Sequence, residues 1–311
     1  MAILTVVGCT GEPSAEVRDY VTDALDFIEE NALYVDDIDW DSVRTNTLDR
    51  TAEAQSYEDV HDDIAEAVKL AGGNHSWFAS PKAAGDAQSP SQMAPPVAEA
   101  LEDGIAKMTI PSFNSVETGQ IQRYADAGLT GLISVSERAS CGWVVDLRGN
   151  GGGNMWPMLA ALSPFFMPGS VVGGFQDRNG NTTDAIVELG SAALDGEVLA
   201  AGAADAPLLD DMPVAVLHDR GTGSSGEIVA AAFRGRPGTL SFGLPTWGYM
   251  SANITEKLRD GAEIVLTSAH IIDGRGDVLP STPMQPDVKI AAGGDAAERA
   301  AVDWLRSECS A

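Results

Sequence analysis

The spacing of apolar residues predicts a helical module at the start of the chain. Between Pro13 and Leu33 the apolar positions recur with the period of one helix face: Val17, Tyr20, Val21, Ala24, Leu25 and Ile28. Ser14 is the expected N-cap of this first helix. A second helix is predicted to start near Asp39 or Asp41, and a third to run from an N-cap at Ser56 to the helix-stopping pair Gly72-Gly73. Residues 13–80 are therefore expected to form a small N-terminal helical module.

Beyond this module, apolar runs alternate with helical periods, which predicts a layered α/β core over residues 104–311. The segments "NHSWFASP" and "GIAKMTIPSF" are predicted to be extended, and residues 81–103, rich in small residues and proline, are predicted to be a loop linker. Two stretches share one order, in which an apolar strand enters a glycine-rich turn and then a helix. They are "GWVVDLRGNGGGN" with the following "MWPMLAALSPFF", and "PVAVLHDRGTGSSGEIVAAAFRG".

The amino-acid composition excludes some classes of binding partner. Hydrophobic residues make up 44% of the 311 residues, which is enough for a sizeable core. The formal net charge of −27 argues against nucleic acid or an anionic membrane surface as a partner and favours a strongly solvated surface. The three cysteines, Cys9, Cys141 and Cys309, show no metal-ligand spacing and no even-numbered disulfide framework.

The first residues, "MAILTVVGC", resemble a bacterial lipobox, in which the cysteine is lipidated after signal cleavage. Two interpretations stay open. In one, residues 1–12 are the remnant of a lipoprotein signal, and the protein is extracytoplasmic and attached to the membrane through Cys9. In the other, the match arises by chance and the protein is cytoplasmic. No other segment has the apolar length to span a membrane.

The two glycine-rich turns suit a reaction in which negative charge develops on an oxygen atom. Glycines allow backbone N–H groups to point into a cavity without obstruction by side chains, and such donors stabilise an oxyanion. Ser224 lies at the mouth of a predicted helix, where it is either a helix cap or a nucleophile beside the positive end of the helix dipole. A Walker-type phosphate loop is excluded, because no Gly-Lys-Ser/Thr follows.

Four motifs in order resemble the tail-specific, or C-terminal processing, proteases of peptidase family S41. They are "DLRGNGGG" from Asp146, "GTGSSGE" from Gly221, "GLPTWG" from Gly243 and "PDV" from Pro286. The resemblance implies a crotonase/ClpP-like layered core and a serine endopeptidase that acts on peptides or proteins. It implies neither a metal nor an organic cofactor.

Carried over residue by residue, the family pattern makes Ser224 the nucleophile. Ser225 and Gly153 would then supply the backbone N–H groups of the oxyanion hole. Glu227 falls in the first turn of the predicted helix, where the helix dipole favours an acid, and is interpreted as structural.

The general base departs from the pattern of the bacterial processing proteases. The position of their lysine is occupied by Tyr249, which we interpret as lining the substrate cleft. His75, in "GGNHSWF", matches the histidine of the tricorn-like branch of the family, and an imidazole can take the serine proton and pass it to the leaving amine. The remaining histidines are interpreted as structural: His61, His218 and His270.

The third catalytic group stays open in the sequence. Asn253 stands four residues after Tyr249, where processing proteases have a polar amide, and either orients the imidazole or contacts substrate. Asp273 and Asp277 are carboxylate candidates in a segment that also reads as a turn. The short linker leaves no room for the PDZ domain that processing proteases carry.

Two other functions remain open on the same scaffold. The resemblance extends to retinoid-binding modules, and the missing lysine keeps a non-catalytic ligand- or peptide-binding protein in view. An acyl-CoA enzyme of the true crotonase type is the third alternative, and the Asp-Leu-Arg loop and the serine turn argue against it.

Overall fold

The computed structural model describes residues 15–87, 94–203, 205–291 and 295–309. The predicted N-cap Ser14 and the lipobox with Cys9 lie outside the described residues. The helices are α1 (Ala15–Asn31), α2 (Trp40–Arg50), α3 (His61–Gly72), α4 (Pro81–Ala87), α5 (Thr118–Ser136), α6 (Met155–Leu162), α7 (Ser225–Ala232) and α8 (Asp295–Cys309). None of these described helices combines the length and the hydrophobicity needed to cross a membrane.

The strands fall into two sheets. Their bounds are β1 (Trp77–Ala79), β2 (Val97–Ala100), β3 (Ile105–Thr109), β4 (Gly142–Asp146), β5 (Ser170–Asp177), β6 (Thr182–Glu188), β7 (Ser191–Leu194), β8 (Glu197–Ala201), β9 (Val214–His218), β10 (Thr239–Gly243), β11 (Ser251–Lys257), β12 (Glu263–Ile272), β13 (Val278–Leu279) and β14 (Val288–Lys289). The chain divides into two compact units, Met1–Ser89 with Asn253–Ala269, and Pro90–Ala252 with His270–Ala311.

The first unit is built on α1 and α3. The apolar stripe that the sequence predicted for α1 is buried, and it packs with Val60, Ile64 and Val68 in one hydrophobic cluster. The segment 253–269 adds a β11–β12 hairpin, whose Ile264 and Leu266 belong to the same cluster, and β1 pairs antiparallel with β12. The contribution of this late segment was not predicted from the sequence.

Two details of the helix starts test the capping predictions. The expected start near Asp39 is confirmed, because the Asp39 carboxylate accepts the Ser42 N–H at 3.1 Å and caps α2. Ser56, the predicted N-cap of α3, does not cap it, because α3 begins at His61. A 3₁₀ turn, Glu58–Val60, runs directly into α3, and the Asp59 carboxylate in it accepts the N–H groups of Gln55 and Ser56.

The centre of the second unit is a mostly parallel sheet in the order β14-β10-β9-β4-β3-β2. Strands β4 and β9 are buried along their whole length, as expected for central parallel strands covered on both faces. Alternate side chains separate two cores. Trp143 and Val145 pack on the side of α5, α6 and α7, whereas Val144 and Leu217 pack against Leu305 and its neighbours on α8.

Two parts of the second unit differ from the sequence predictions. The predicted alternation of strands and helices fails over 170–201, where β5, β6, β7 and β8 form an antiparallel meander without intervening helices. The predicted loop after Ser80 contains helix α4, in the first unit, and the edge strand β2, in the second. Small residues in these segments mimic loop composition, but Ala-rich sequence is also compatible with a helix.

The cysteines differ from the prediction as well. Cys141 and Cys309 form a disulfide that ties the end of α8 to the residue before β4. The two cysteines are 168 residues apart, and that separation conceals their pairing in the sequence.

Candidate active site

The two glycine-rich turns lie side by side at the carboxyl ends of adjacent parallel strands. Asp146, the last residue of β4, is the register partner of Leu217 in β9, so both turns leave the sheet at the same edge. The Gly223 N–H donates to the Asn150 carbonyl at 2.9 Å, and the Thr222 hydroxyl donates to the Leu147 carbonyl at 2.8 Å. The turns are therefore joined into one rigid edge, where α/β proteins commonly bind ligands.

Ser224 has a strained backbone at the start of α7. Its φ of 50° and ψ of −123° lie in a region that glycine adopts readily and other residues rarely do. Among the described residues, only Asp103 and Asp195 share a positive φ without being glycine. Such strain costs on the order of 1–3 kcal/mol and is concentrated at functional sites. The conformation is comparable in kind to the sharp strand-to-helix turn that presents a nucleophilic serine in hydrolases.

Glu227 holds this strained turn in place. The side chain is fully buried in the first turn of α7 and accepts four hydrogen bonds. Oε2 accepts the N–H groups of Ser224 and Tyr249, both at 2.8 Å; Oε1 accepts the Thr246 hydroxyl at 2.5 Å and the Gly248 N–H at 2.8 Å. Burial raises the pKa of Glu227, while these hydrogen bonds act in the opposite direction. Glu227 thus connects the Ser224 turn to the loop 246–249.

The glycine loop approaches Ser224 so closely that it leaves no space for side chains. A Cβ atom at Gly152 would lie 2.9 Å from the Ser224 Cβ and 2.8 Å from the Ser225 nitrogen. A Cβ atom at Gly153 would lie 2.1 Å from the Phe113 carbonyl oxygen, and both glycines have a positive φ. The loop therefore requires glycine for close approach and for backbone conformation alike.

Two backbone donors beside Ser224 remain unused. The Gly152 N–H donates to Asn150 Oδ1 at 2.9 Å. By contrast, the N–H groups of Gly153 and Ser225 donate to no acceptor among the described residues. Gly153 is exposed, and the Ser225 hydroxyl donates to its carbonyl at 2.5 Å, which fixes the orientation of that peptide unit. This pair of free donors is the arrangement that an oxyanion hole requires.

The Asp-Leu-Arg motif stabilises the base of the glycine loop. Arg148 binds both oxygens of Asp146, at 2.8 and 2.5 Å, and reaches Glu298 of α8 at 2.8 Å. The hydrogen bond and the charge of Asp146 raise the pKa of Arg148. Lys107 pairs with the other oxygen of Glu298 at 3.2 Å, so helix α8 is joined to the motif by charge.

The loop after β10 lies against the Ser224 turn. The Trp247 N–H donates to the Thr222 carbonyl at 2.9 Å, and a Cβ atom at Gly223 would lie 3.4 Å from the Trp247 Cβ. The indole is 60% exposed, and its centroid is 5.9 Å from that of the half-buried Tyr249 ring. The exposed Trp247 ring and the half-buried Tyr249 ring therefore lie together on the loop that contacts the Ser224 turn.

His75 and Asn253 come together in the first unit. His75 ends a 3₁₀ turn, Gly73–His75, directly after α3, and its side chain is half-buried. Asn253 Nδ2 donates to the His75 carbonyl at 2.9 Å, while Asn253 Oδ1 accepts the Thr267 hydroxyl at 2.9 Å. The amide of Asn253 therefore links the backbone of His75 to the side chain of Thr267. The proposed roles of His75 and Asn253 in catalysis stay predictions.

The carboxylate candidates of the second unit occupy a turn. Asp273 is buried, accepts the N–H groups of Arg275 and Asp277 at 2.9 and 3.0 Å, and pairs with Arg234 at 3.0 Å. Asp277 is exposed. The geometry matches the turn interpretation of Asp273.

Two histidines outside the predicted site have clear structural partners. His61 bonds to Asp260 at 2.8 Å in the first unit. His218 is buried at the end of β9, with Nδ1 2.8 Å from the Leu244 carbonyl, and burial lowers its pKa. His270 lies on β12.

Sequence reasoning missed the contacts of three side chains around the predicted site. They are the four hydrogen bonds of Glu227, the bond from the Ser225 hydroxyl to Gly153, and the ion pair of Arg148 with Glu298. The only signal for Glu227 was its place three residues after Ser224, where an acid can accept the N-cap N–H.

The chain is similar in sequence and in structure to known proteins. The family model "Peptidase family S41" matches residues 104–290. The nisin-resistance protein of Lactococcus lactis subsp. lactis is 31% identical over 289 residues, which cover 93% of this chain and 87% of that protein. A lipoprotein from Streptococcus agalactiae superposes with a TM-score of 0.79 and 26% identity, over 98% of this chain and 99% of that one.

A solved structure of more distant sequence supports the fold alone. The photosystem II D1 C-terminal processing protease superposes with a TM-score of 0.63 at 14% identity, over 89% of this chain and 93% of that one. The predicted fold class, an α/β core of the crotonase/ClpP-like type with an N-terminal helical region, is confirmed. The family model covers more than half of the chain, and the four motifs fall within its bounds. The chain therefore belongs to peptidase family S41.

Proposed function

We propose that the protein is a serine endopeptidase in which Ser224 is the nucleophile and His75 the general base. The observation that carries the proposal is the strained Ser224 turn, with two unused N–H donors, those of Gly153 and Ser225, in the adjoining backbone. A helix cap needs neither a positive φ nor free donors in the facing loop. Membership of a serine peptidase family supports the same role.

The proposed chemistry proceeds through an acyl-enzyme. Ser224 Oγ attacks the carbonyl carbon of the scissile peptide bond while the His75 imidazole takes its proton. The resulting oxyanion accepts hydrogen bonds from the N–H groups of Gly153 and Ser225. The intermediate collapses as His75 passes the proton to the leaving amine. A water molecule, deprotonated by His75, then releases the acid and restores Ser224.

Asn253 is proposed to position His75 rather than to touch substrate. Its amide bonds to the backbone carbonyl of His75 and to Thr267, which supports a role in fixing the segment that carries the imidazole. Tyr249 is proposed to line the cleft, because its N–H is bound by Glu227 and its ring stands beside that of Trp247.

The substrate is proposed to be a peptide or an unfolded protein. The printed name of the Lactococcus lactis relative connects that protein with nisin, so nisin is the first peptide to test on this chain. The high negative charge of this chain would also attract positively charged peptides.

A location outside the cytoplasm is proposed as well. The Cys141–Cys309 disulfide suits an oxidising compartment, and one similar solved structure is a lipoprotein. Lipidation at Cys9 would attach the protein to a membrane. Cell fractionation tests this: the protein should sediment with membranes, and Cys9→Ser should release it. A cytosolic protein with reduced cysteines would contradict the proposal.

Labelling with a fluorophosphonate, which reacts with activated serines, tests the proposed function directly. The protein should be labelled and should cleave nisin or β-casein, whereas Ser224→Ala should lose both properties with an unchanged circular dichroism spectrum. His75→Ala should lower kcat by at least ~10³, because a serine without its base is a poor nucleophile at neutral pH. Folded protein that binds peptides but is never labelled would favour the non-catalytic binding protein.

The pH dependence tests the identity of the base. With His75 as the base, kcat/KM should fall as the pH drops through about 6.5, where an ordinary imidazole gains its proton. A flat profile between about pH 5 and 8 would point to another base.

A further inference from the structure

An uncharged groove opens beside the glycine loop of the second unit. It has a volume of about 640 Å³, within the roughly 300–1,000 Å³ typical of ligand sites. Its walls come from the start of α5, the start of α6 and strand β8, and none of the described residues that line it carries a charge. Val116 and Val198 on its walls are 89% and 58% exposed. The Asp126 carboxylate accepts the Ala203 N–H at 2.5 Å at one end of the lining, and the lining side chains themselves are uncharged. In a chain of net charge −27, an exposed patch whose own side chains carry no charge indicates a binding surface.

The groove begins at the residue that follows Gly153, one of the two proposed oxyanion donors. Asn154, the residue after Gly153, lies in its lining. Asn154 Nδ2 donates to the Ser115 carbonyl at 3.0 Å, beside Val116, and Asn154 Oδ1 accepts the Trp156 N–H at 3.1 Å. One side chain thus connects the catalytic loop to two walls of the groove. A polypeptide whose scissile carbonyl is bound at Gly153 would therefore have its neighbouring residues near the Asn154 wall of the groove.

The walls suit an extended chain. Strand β8 ends its sheet, and among the described strands only β7 pairs with it, so a peptide can add along its other edge. Small residues follow one another along this wall from Ala200 to Ala203, which leaves room for the side chains of a guest. Opposite them, the Trp156 ring is held edge-to-face against Phe175 at 6.4 Å, and offers a fixed apolar surface.

We propose that this groove binds the stretch of polypeptide next to the scissile bond and selects stretches without charged residues. The inference rests on the proposed peptidase function. A charged side chain of the substrate would lose water against lining side chains that carry no charge, so its binding would be disfavoured. The Asp126 carboxylate at one end of the groove already accepts the Ala203 N–H. The occupant is the substrate itself, because the groove begins one residue from Gly153.

Substitution of Val198 tests the groove without altering Ser224. Val198→Lys places a positive charge in the groove, and Ala201→Trp fills it. Val171→Lys is the matched control, because Val171 is also a strand valine, is 51% exposed and lies outside the groove lining. Cleavage of β-casein is measured for each variant, and the cut sites are mapped by mass spectrometry. The labelling rate with a small fluorophosphonate normalises for the reactivity of Ser224.

We expect the two groove variants to lower kcat/KM for β-casein at least ~tenfold, mainly through KM. Val198→Lys should also move the cuts toward stretches that contain Asp or Glu. Val171→Lys should stay within about twofold of the unaltered protein. Unchanged kcat/KM and unchanged cut sites in Val198→Lys would overturn the proposal.

Failure of the peptidase function would be seen separately, as an absence of labelling in the unaltered protein. The groove is then tested by binding of fluorescein-labelled β-casein to Ser224→Ala. Val198→Lys in that background should weaken Kd at least ~tenfold, and an unchanged Kd would overturn the groove as well.

Discussion

Replacement of Glu227 by glutamine should destabilise the Ser224 turn more than the small change in side-chain shape suggests. The carboxylate accepts from four donors, three of which are backbone N–H groups. A glutamine amide has one NH₂ group in place of an acceptor oxygen. The amide has two possible orientations. In the first, its NH₂ group faces Ser224 and Tyr249 and meets two N–H donors. In the second, the NH₂ group faces Gly248 and Thr246 and meets one N–H donor and one hydroxyl that can rotate to accept.

The second orientation costs less and sets the expected magnitude. It loses the bond to Gly248 and the negative charge that strengthens the other three bonds. Hydrogen bonds to charged groups contribute about 1.5–3 kcal/mol, and a buried donor without a partner costs about 1–3 kcal/mol. A neutral amide avoids the cost of burying a charged carboxylate, and this gain offsets part of the lost hydrogen-bond energy. The net loss in stabilisation of the Ser224 turn should therefore be about 1–3 kcal/mol. Expressed at Ser224, that loss corresponds to a fall of about 5- to 150-fold in rate.

The rate of fluorophosphonate labelling measures this effect at Ser224 itself. The labelling rate of Glu227→Gln should be about 5- to 150-fold lower than that of the unaltered protein. Near-ultraviolet circular dichroism checks that the variant is folded. Glu137→Gln, an exposed glutamate at the end of α5, is the matched control and should label at the normal rate. Labelling of Glu227→Gln at the full rate would refute the role given to this carboxylate.

The pH dependence of stability gives a second measure of Glu227. Burial raises its native pKa above the value in the unfolded chain, so between those two values the native state holds more protons. The contribution of this group to the free energy of unfolding therefore falls as pH rises through that window. In Glu227→Gln the free energy of unfolding should therefore fall less steeply with pH over this window. An identical pH dependence in both proteins would contradict a raised pKa at Glu227.

Three further substitutions test neighbouring parts of the account. Ser225→Ala should lower kcat only about two- to tenfold, because it removes one neutral hydrogen bond to Gly153, and a loss as large as that of Ser224→Ala would mean that the register is wrong by one residue. Tyr249→Phe should keep kcat within about tenfold and mainly change KM in peptide hydrolysis; a folded but inactive variant would make the phenol a candidate base. Cys309→Ser should lower the free energy of unfolding, measured by urea titration, by about 2–5 kcal/mol, because it removes the disulfide to Cys141 that closes a long loop. The labelling rate should stay within about twofold, and an unchanged free energy of unfolding would refute the stabilising role of the disulfide.

The glycine turns were predictable because their chemistry is local in sequence. A buried apolar run, a turn without side chains and an immediate helix together specify strand, loop and helix, and the structure has β4 and β9 in these places. Adjacent parallel strands then bring the loops that follow them to one edge of the sheet. The assignment of Gly153 and Ser224 to one site came from the family resemblance, and the adjacency of β4 and β9 agrees with it.

Contacts between distant segments could not be predicted in this way. Cys141 and Cys309 are 168 residues apart, and nothing near either cysteine marks its partner. Helix α8 carries Glu298 to Arg148 across a similar separation. The meander 170–201 was missed because its strands have short, Ala- and Gly-rich sequences whose apolar faces are small. Whether such segments become strands depends on the strands with which they pair, and the local sequence of a segment does not specify its partner.

The most direct test of the central claim is to locate the fluorophosphonate adduct. Trypsin should release residues 221–234 as one peptide, because Arg220 precedes it and Arg234 ends it. This peptide contains both Ser224 and Ser225, and fragmentation in the mass spectrometer separates them. The account predicts the adduct on Ser224 and none on Ser225. An adduct on Ser225, or on a residue outside this peptide, would contradict it.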